Sequence, residues 1–193
     1  MSSGYEVVDE VRLGDQEVSR EGILSEWKTI RAVFTNFAGL SSEPGVRTLS
    51  PVLRCHGLEW VIELCPGGRQ SVSSEEDVPV SLRLGSMSCT KTNKIRAKKR
   101  IRIPSAGVAK GGERLDIFSL KNAAGEFQFR GLSDFVKRKD VLKTSKNYLV
   151  GGNLTVEVDI QVLDKPPVWT PTNTVCSDML KILDTADAET ADV

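Results

Sequence analysis

The sequence has no excess charge of either sign: 26 lysines and arginines stand against 26 aspartates and glutamates. No whole-molecule field therefore steers the chain towards nucleic acid or an anionic membrane, and any charge argument has to be local. Aromatic residues make up only 6% of the 193 residues, and histidine occurs once. Chemistry that needs clustered imidazoles, or stacking platforms for bases, has little to draw on. No stretch approaches the roughly 20 apolar residues of a spanning helix, and Met1 to Val11 is polar and acidic, unlike a secretory signal. The four cysteines, Cys55, Cys65, Cys89 and Cys176, lack the dense spacing of a disulfide framework. They read as free thiols in a reducing compartment, the cytoplasm or the nucleus.

What the sequence does have is alternation. Ile30, Ala32 and Phe34 alternate with Thr29, Arg31 and Val33 in a first strand. Leu58, Trp60, Ile62 and Leu64 alternate with Glu59, Val61 and Glu63 in a half-buried strand that Pro66, Gly67 and Gly68 stop. Val80, Leu82 and Leu84 form a third apolar face, where Pro79 implies an edge position or the first residues of the strand. Between Lys91 and Ile103, Ile95, Ala97, Ile101 and Ile103 oppose Arg96, Lys98, Arg100 and Arg102, with Lys99 interrupting the apolar side. Leu115 and Ile117 mark a further strand, and a short turn of helix is expected around Ser133 to Arg138. Leu154, Val156, Val158, Ile160 and Val162 give the cleanest period of two, with one face core and one face wet.

Short strands separated by Gly, Pro, Ser and Asn turns, without crossover helices, predict an all-β fold: an antiparallel two-sheet sandwich of about eight strands. The expected core includes Trp60, Ile62, Leu82, Leu84, Phe135, Val156, Val158 and Ile160. Residues 1–22 read as an acidic arm. Residues 167–193 read as a linker and a short helix capped by Ser177, with Met179, Leu180, Ile182 and Leu183 as its apolar stripe, before an acidic tail.

Three function classes fit these residues. A hydrolase could use Cys55 with His56, but neighbours on a strand point to opposite faces, and a buried structural thiol is the plainer reading. Cys55, His56, Cys65 and Cys89 match no finger or ribbon spacing, so no metal or other cofactor is expected. Glu75 and Glu76 lie in a serine-rich loop, where a solvated surface fits better than acid–base work. The basic run from Lys94 to Arg102 could contact phosphates, but no aromatic residues interleave it, and a wet sheet surface or a peptide-groove wall accounts for it as well. The third class is a peptide-recognition module.

The order of the pieces carries a resemblance. Phe34-Thr-Asn-Phe37, Gly57-Leu-Glu-Trp60, Pro66-Gly67-Gly68, Val80-Ser-Leu-Arg-Leu84, Ser88-Cys89, Arg96-Ala97-Lys98, Gly131-Leu132-Ser133-Asp134-Phe135, Tyr148-Leu149 and Leu154-Thr-Val-Glu-Val158 together resemble the MATH (TRAF-like) domain family, over about residues 27–163. With its flanks the domain spans 23–166, and Met179 to Leu183 resembles the lead-in to a BTB domain. The resemblance implies a non-enzymatic adaptor of a cullin-type ubiquitin ligase, with the cullin engaged through a BTB domain that would follow. It implies an extended peptide added as a strand, in a groove falling on Arg83, Lys99, Gln128, Phe129, Arg130, Gly131 and Leu132. A scaffold domain unrelated to ubiquitin remains the alternative within the same family. Where adaptors of the speckle-type class carry aromatic residues, Arg83, Lys99 and Arg130 stand here, with Phe129 in the neighbouring register. The groove is thus expected to be basic and to prefer acidic or phosphorylated segments. Lys99 and Arg130 are expected to face solvent, so that reversing both to Glu leaves the sandwich folded.

Overall fold

Alternation along Asn153–Asp164 puts five aliphatic side chains on one face, and the computed structural model of the chain builds its larger sheet around this strand, β12. The structure describes residues 18–19, 22–72, 78–121 and 125–164. The expected arm before Val18, the carboxylates Glu75 and Glu76, Cys176 and the 177–183 helix lie outside the described residues.

β12 pairs antiparallel with β3 (Lys28–Phe34) on one side and β8 (Ile95–Ile103) on the other. β8 in turn carries β9 (Val108–Phe118) as the last strand. The short strands β1 (Val18–Ser19), β2 (Gly22–Leu24) and β11 (Leu149–Val150) complete this sheet. The second sheet runs β10 (Arg130–Lys137), β7 (Pro79–Ser86), β6 (Leu58–Cys65) and β4 (Thr48–Leu49), and β5 (Leu53–Cys55) also pairs with β6. The result is the expected all-β antiparallel sandwich. The strands beyond the expected eight are mostly pieces of two or three residues, too short to show a period in the sequence.

The core lies between the sheets. Trp60, Ile62, Leu82, Leu84, Phe135, Val156, Val158 and Ile160 are all fully buried, as expected, and Trp60 meets Phe118 edge-on with ring centroids 5.2 Å apart. Burying side chains of this size contributes roughly 1.5 to 3 kcal/mol each, which sets the register of every strand that carries one.

Three local expectations are corrected. Ser133 to Lys137 is strand, because Phe135 must reach the core while Val136 and Lys137 pair with Val80 and Pro79; the helix α1 (Arg138–Leu142) starts only where the chain leaves the sheet. β6 is buried on both faces, with Val61, Glu63 and Cys65 all covered. Glu63 tolerates this because Arg83 Nη2 lies 2.6 Å and Arg47 Nη1 3.7 Å from its carboxylate, so the buried charge is paired. The outer face of β12 is likewise partly covered, at Glu157 and Gln161. Pro79, by contrast, takes the second of its two expected places, as the first residue of β7, where a missing amide costs little.

Candidate functional site

β9 and β10 are the outer strands of the two sheets, and they run antiparallel along the same side of the sandwich. No backbone ladder joins them. Two side chains lace them instead: Lys110 Nζ on β9 donates to the Phe135 carbonyl on β10 (2.6 Å), and Arg130 Nε on β10 donates to the Ile117 carbonyl on β9 (3.1 Å). Between these ties lies a groove of about 350 Å³.

Both strands bulge at the groove. In β10 the register with β7 shifts between Leu132 and Val136, so that three residues oppose Ser81 alone. In β9 the shift falls between the partners of Lys98 and Arg100, where Gly112, Glu113 and Arg114 oppose Lys99 alone. Gly111 (φ 91°) and Gly112 (φ 112°) supply the backbone for this excursion, and a Cβ on Gly111 would come 2.8 Å from the Lys99 carbonyl oxygen. Bulges of this kind keep an edge from pairing along its whole length and open a mouth beside it.

The open edge of β10 is centred on Gly131. Ser81 Oγ donates to the Leu132 carbonyl, so that carbonyl faces β7, whereas the Phe135 carbonyl faces β9. Strand alternation then turns the backbone amides and carbonyls of Gly131 and Ser133 outwards, towards the groove. Gly131 also marks a close approach: an added Cβ would run into the Leu82 carbonyl oxygen and stand 2.6 Å from Arg83 Cα. No other residue fits there without moving a strand.

Six of the seven residues expected at the site line the groove: Arg83, Lys99, Phe129, Arg130, Gly131 and Leu132. Gln128 does not; its Oε1 accepts from Arg130 Nη2 (2.9 Å) and Ser119 Oγ (3.0 Å), so it steadies Arg130 from behind. Phe129 lies against Gly85, with the Arg83 guanidinium 5.5 Å from its ring centre. Arg83 is fixed from the other side by Glu63.

Lys99 departs from expectation. It is only 9% exposed and its Nζ is bound to Asp116, itself largely covered. The reason is its place on the inner face of β8, in phase with Ala97 and Ile101; Asp116, paired with Ala97 across the ladder, lies on the same face and diagonally beside it. Lys99 is a buried half of an ion pair and no freely solvated wall residue. Sequence reasoning also missed Arg69, Lys110, Arg114 and Asp116. The signal was present in Lys110-Gly-Gly-Glu-Arg114, where two glycines flanked by charges announce a bulge.

The groove is electropositive. Arg69, Arg83, Lys99, Lys110, Arg114 and Arg130 line it with Asp116 as the one acid among the lining residues. Glu63 occupies Arg83, and Asp116 occupies Lys99 while Arg114 Nε stands 3.8 Å off. Among the described residues, Arg69, Lys110 and Arg130 have no acidic partner.

The other candidate chemistries sit differently. Cys55 ends β5, and His56 (φ 53°) and Gly57 form the tight turn into β6. Burial pushes the Cys55 thiol up to about 11, against which Lys28 acts only weakly, so it stays protonated near neutrality. His56 Nε2 lies 3.1 Å from the Ile160 carbonyl, across the turn. Cys55, Cys65 and Cys89 are separate buried thiols, and among the described residues no three His, Cys, Asp or Glu side chains converge as metal ligands would. No helix of the described residues is long and apolar enough to cross a membrane. The basic strand β8 turns Arg102 towards acids: its Nη2 lies 3.0 Å from Glu157 and 2.7 Å from Asp159.

No family model matches the chain, and no curated protein matches it.

Proposed function

We propose that this chain is a non-catalytic peptide-recognition module that receives an extended segment of another protein as an added strand on β10. The observation that carries the reading is the open edge at Gly131 and Ser133, whose backbone donors and acceptors face the groove between β9 and β10. Strand addition supplies affinity through the backbone and leaves selectivity to the flanking side chains. Carried over from the MATH resemblance, the wider role is that of the substrate-selecting half of a BTB adaptor for a cullin-type ubiquitin ligase, acting in the cytoplasm or nucleus without a cofactor. The acid-paired arginine of β8 and the protonated Cys55 favour this reading over nucleic-acid binding and thiol catalysis.

The test is selection of random seven-residue peptides on the full chain, followed by amide hydrogen exchange with the enriched peptides. The amides of Gly131 and Ser133 should slow on binding, and N-methylation of alternate peptide amides should abolish the complex. Enriched peptides that protect amides elsewhere, or that bind equally well when N-methylated, would show the edge assignment to be wrong.

A further inference from the structure

On the outer face of the larger sheet Arg31 and Arg102 are matched to Glu157 and Asp159, whereas in the groove cations outnumber acids. Resting on the peptide-binding reading above, we infer that the groove selects extended peptides carrying a phosphorylated serine or threonine, the phosphate being received among Arg69, Lys110, Arg114 and Arg130. The argument begins with what the groove's own acids already hold. Asp116 serves Lys99 and Glu63 serves Arg83, so two cations are internally balanced. Lys110 spends one donor on a neutral carbonyl, and Arg130 spends two, on the Ile117 carbonyl and the Gln128 side-chain oxygen, which leaves the charge of both uncompensated and their remaining donors available. Arg114 is 88% exposed and only distantly paired, and Arg69 stands exposed at the turn after β6. That turn is held in place where Gly67 packs directly on the Ser42 backbone.

Several like charges lining one groove repel one another and together present a positive potential to whatever enters it. A neutral strand would pair with Gly131 and leave this repulsion in place. A carboxylate offers one charge. A phosphate monoester carries about 1.5 to 2 negative charges and three acceptor oxygens, and it can accept from more than one of these side chains together. The groove therefore discriminates by charge number as well as by sign. Arg130 doubles as the tie that closes one end of the slot, so an anion there would also orient the segment along β10.

The experiment uses the full chain and three pools of extended heptapeptides with the central residue fixed as serine, glutamate or phosphoserine. Fluorescence anisotropy at low salt should rank phosphoserine at least about tenfold tighter than serine, with glutamate between, and the preference should shrink as salt approaches about 0.5 M. Doubly substituting Arg69→Ala and Arg114→Ala should weaken phosphoserine-pool binding at least about fivefold more than serine-pool binding, and should leave thermal unfolding unchanged, since both side chains are exposed. Equal affinity for the serine and phosphoserine pools overturns the inference and leaves strand addition standing. A glutamate pool as tight as the phosphoserine pool overturns the need for a phosphate. Failure of every pool to bind overturns both readings. A single-stranded oligonucleotide that displaces the phosphoserine pool as readily as the free phosphopeptides do would show a general polyanion site and overturn the peptide assignment.

Discussion

Two regions of this sandwich use arginine and lysine in opposite ways. On the outer face of the larger sheet the cations alternate with acids in register: Arg31 and Arg102 stand on either side of Glu157, the Arg31 pair at 2.7 Å, and Thr29 and Arg102 both reach Asp159. In the groove between β9 and β10 six cations share one lining acid. The first arrangement follows from cross-strand pairing, in which opposite charges stabilise neighbouring strands by a few tenths to about 1 kcal/mol. The second contributes no such stabilisation, because its unpaired cations face one another across an open groove, with their mutual repulsion moderated by solvent. Charge that the fold does not balance internally is the better mark of a site.

The sharpest break in the comparison is at Lys99, which belongs to the groove by position and to the interior by burial. Lys99→Glu would place a second carboxylate against Asp116 inside the sandwich, and we expect it to destabilise the fold by about 3 to 5 kcal/mol. Lys99→Met keeps the stem but strands Asp116, so it should also be costly, whereas the double change Lys99→Met with Asp116→Leu should recover much of the loss. Urea unfolding of the three variants checks this. A Lys99→Glu protein as stable as the parent would mean that the side chain is free after all and belongs with Arg69 and Arg114.

That position also shows how far the sequence could be read. Strand phase was legible wherever a run was long and one face apolar, as in β12 and β7, because burial of alternate residues fixes register. Phe129 to Leu132, where the chain enters β10, were expected together from the resemblance, and they line the groove between the two outer strands. Burial of Lys99 was not, since its charge masked its membership of the Ile95, Ala97, Ile101 face, and its partner Asp116 sits on another strand, diagonal to it across the β8–β9 ladder, a pairing that periodicity within one strand does not reveal. Glu63 was misread for the same reason: a carboxylate on the outer phase of a strand looks wet until its two arginine partners are seen. Arg69 and Arg114 reach the groove from separate turns and bulges, and no periodicity connects them.

A smaller effect separates buried neutral groups from both charged regions. Cys55 titrates at about 11 in the fold against an ordinary thiol value of 9.0, because burial penalises the thiolate. Below the ordinary value both states keep the proton. Between the two values the unfolded chain releases it while the folded chain holds it, so unfolding is favoured as pH rises, and stability of roughly 2 to 3 kcal/mol is lost by about pH 11. Cys65 and Cys89 are raised by burial too and add in the same direction. Cys55→Ala should therefore flatten the alkaline limb of the stability profile in urea titrations between pH 8 and about 11, even though its neutral-pH stability falls through lost packing.

The smallest expected effect tests the balanced face itself. Arg31 donates through Nε and Nη2 to one oxygen of Glu157 at 2.9 and 2.7 Å, but its own side chain is 67% exposed. Solvent screening and the entropy of holding a long side chain offset most of the Coulomb gain at such a site, so Arg31→Ala should cost no more than about 1 kcal/mol. Glu157 keeps a second partner in Arg102, which limits the loss further. The contrast with the groove lies in the sign of the salt response. Removing Arg31 deletes an attraction, so the variant should differ from the parent most at low salt and converge on it as salt rises. Removing Arg114 deletes mostly repulsion, so Arg114→Ala should be as stable as the parent or slightly more so at low salt, and again converge at high salt. Opposite signs of change at low ionic strength, measured by denaturant midpoints, are what two differently built charge clusters require; the same sign in both would mean that the groove's cations are balanced as well as those of the sheet face.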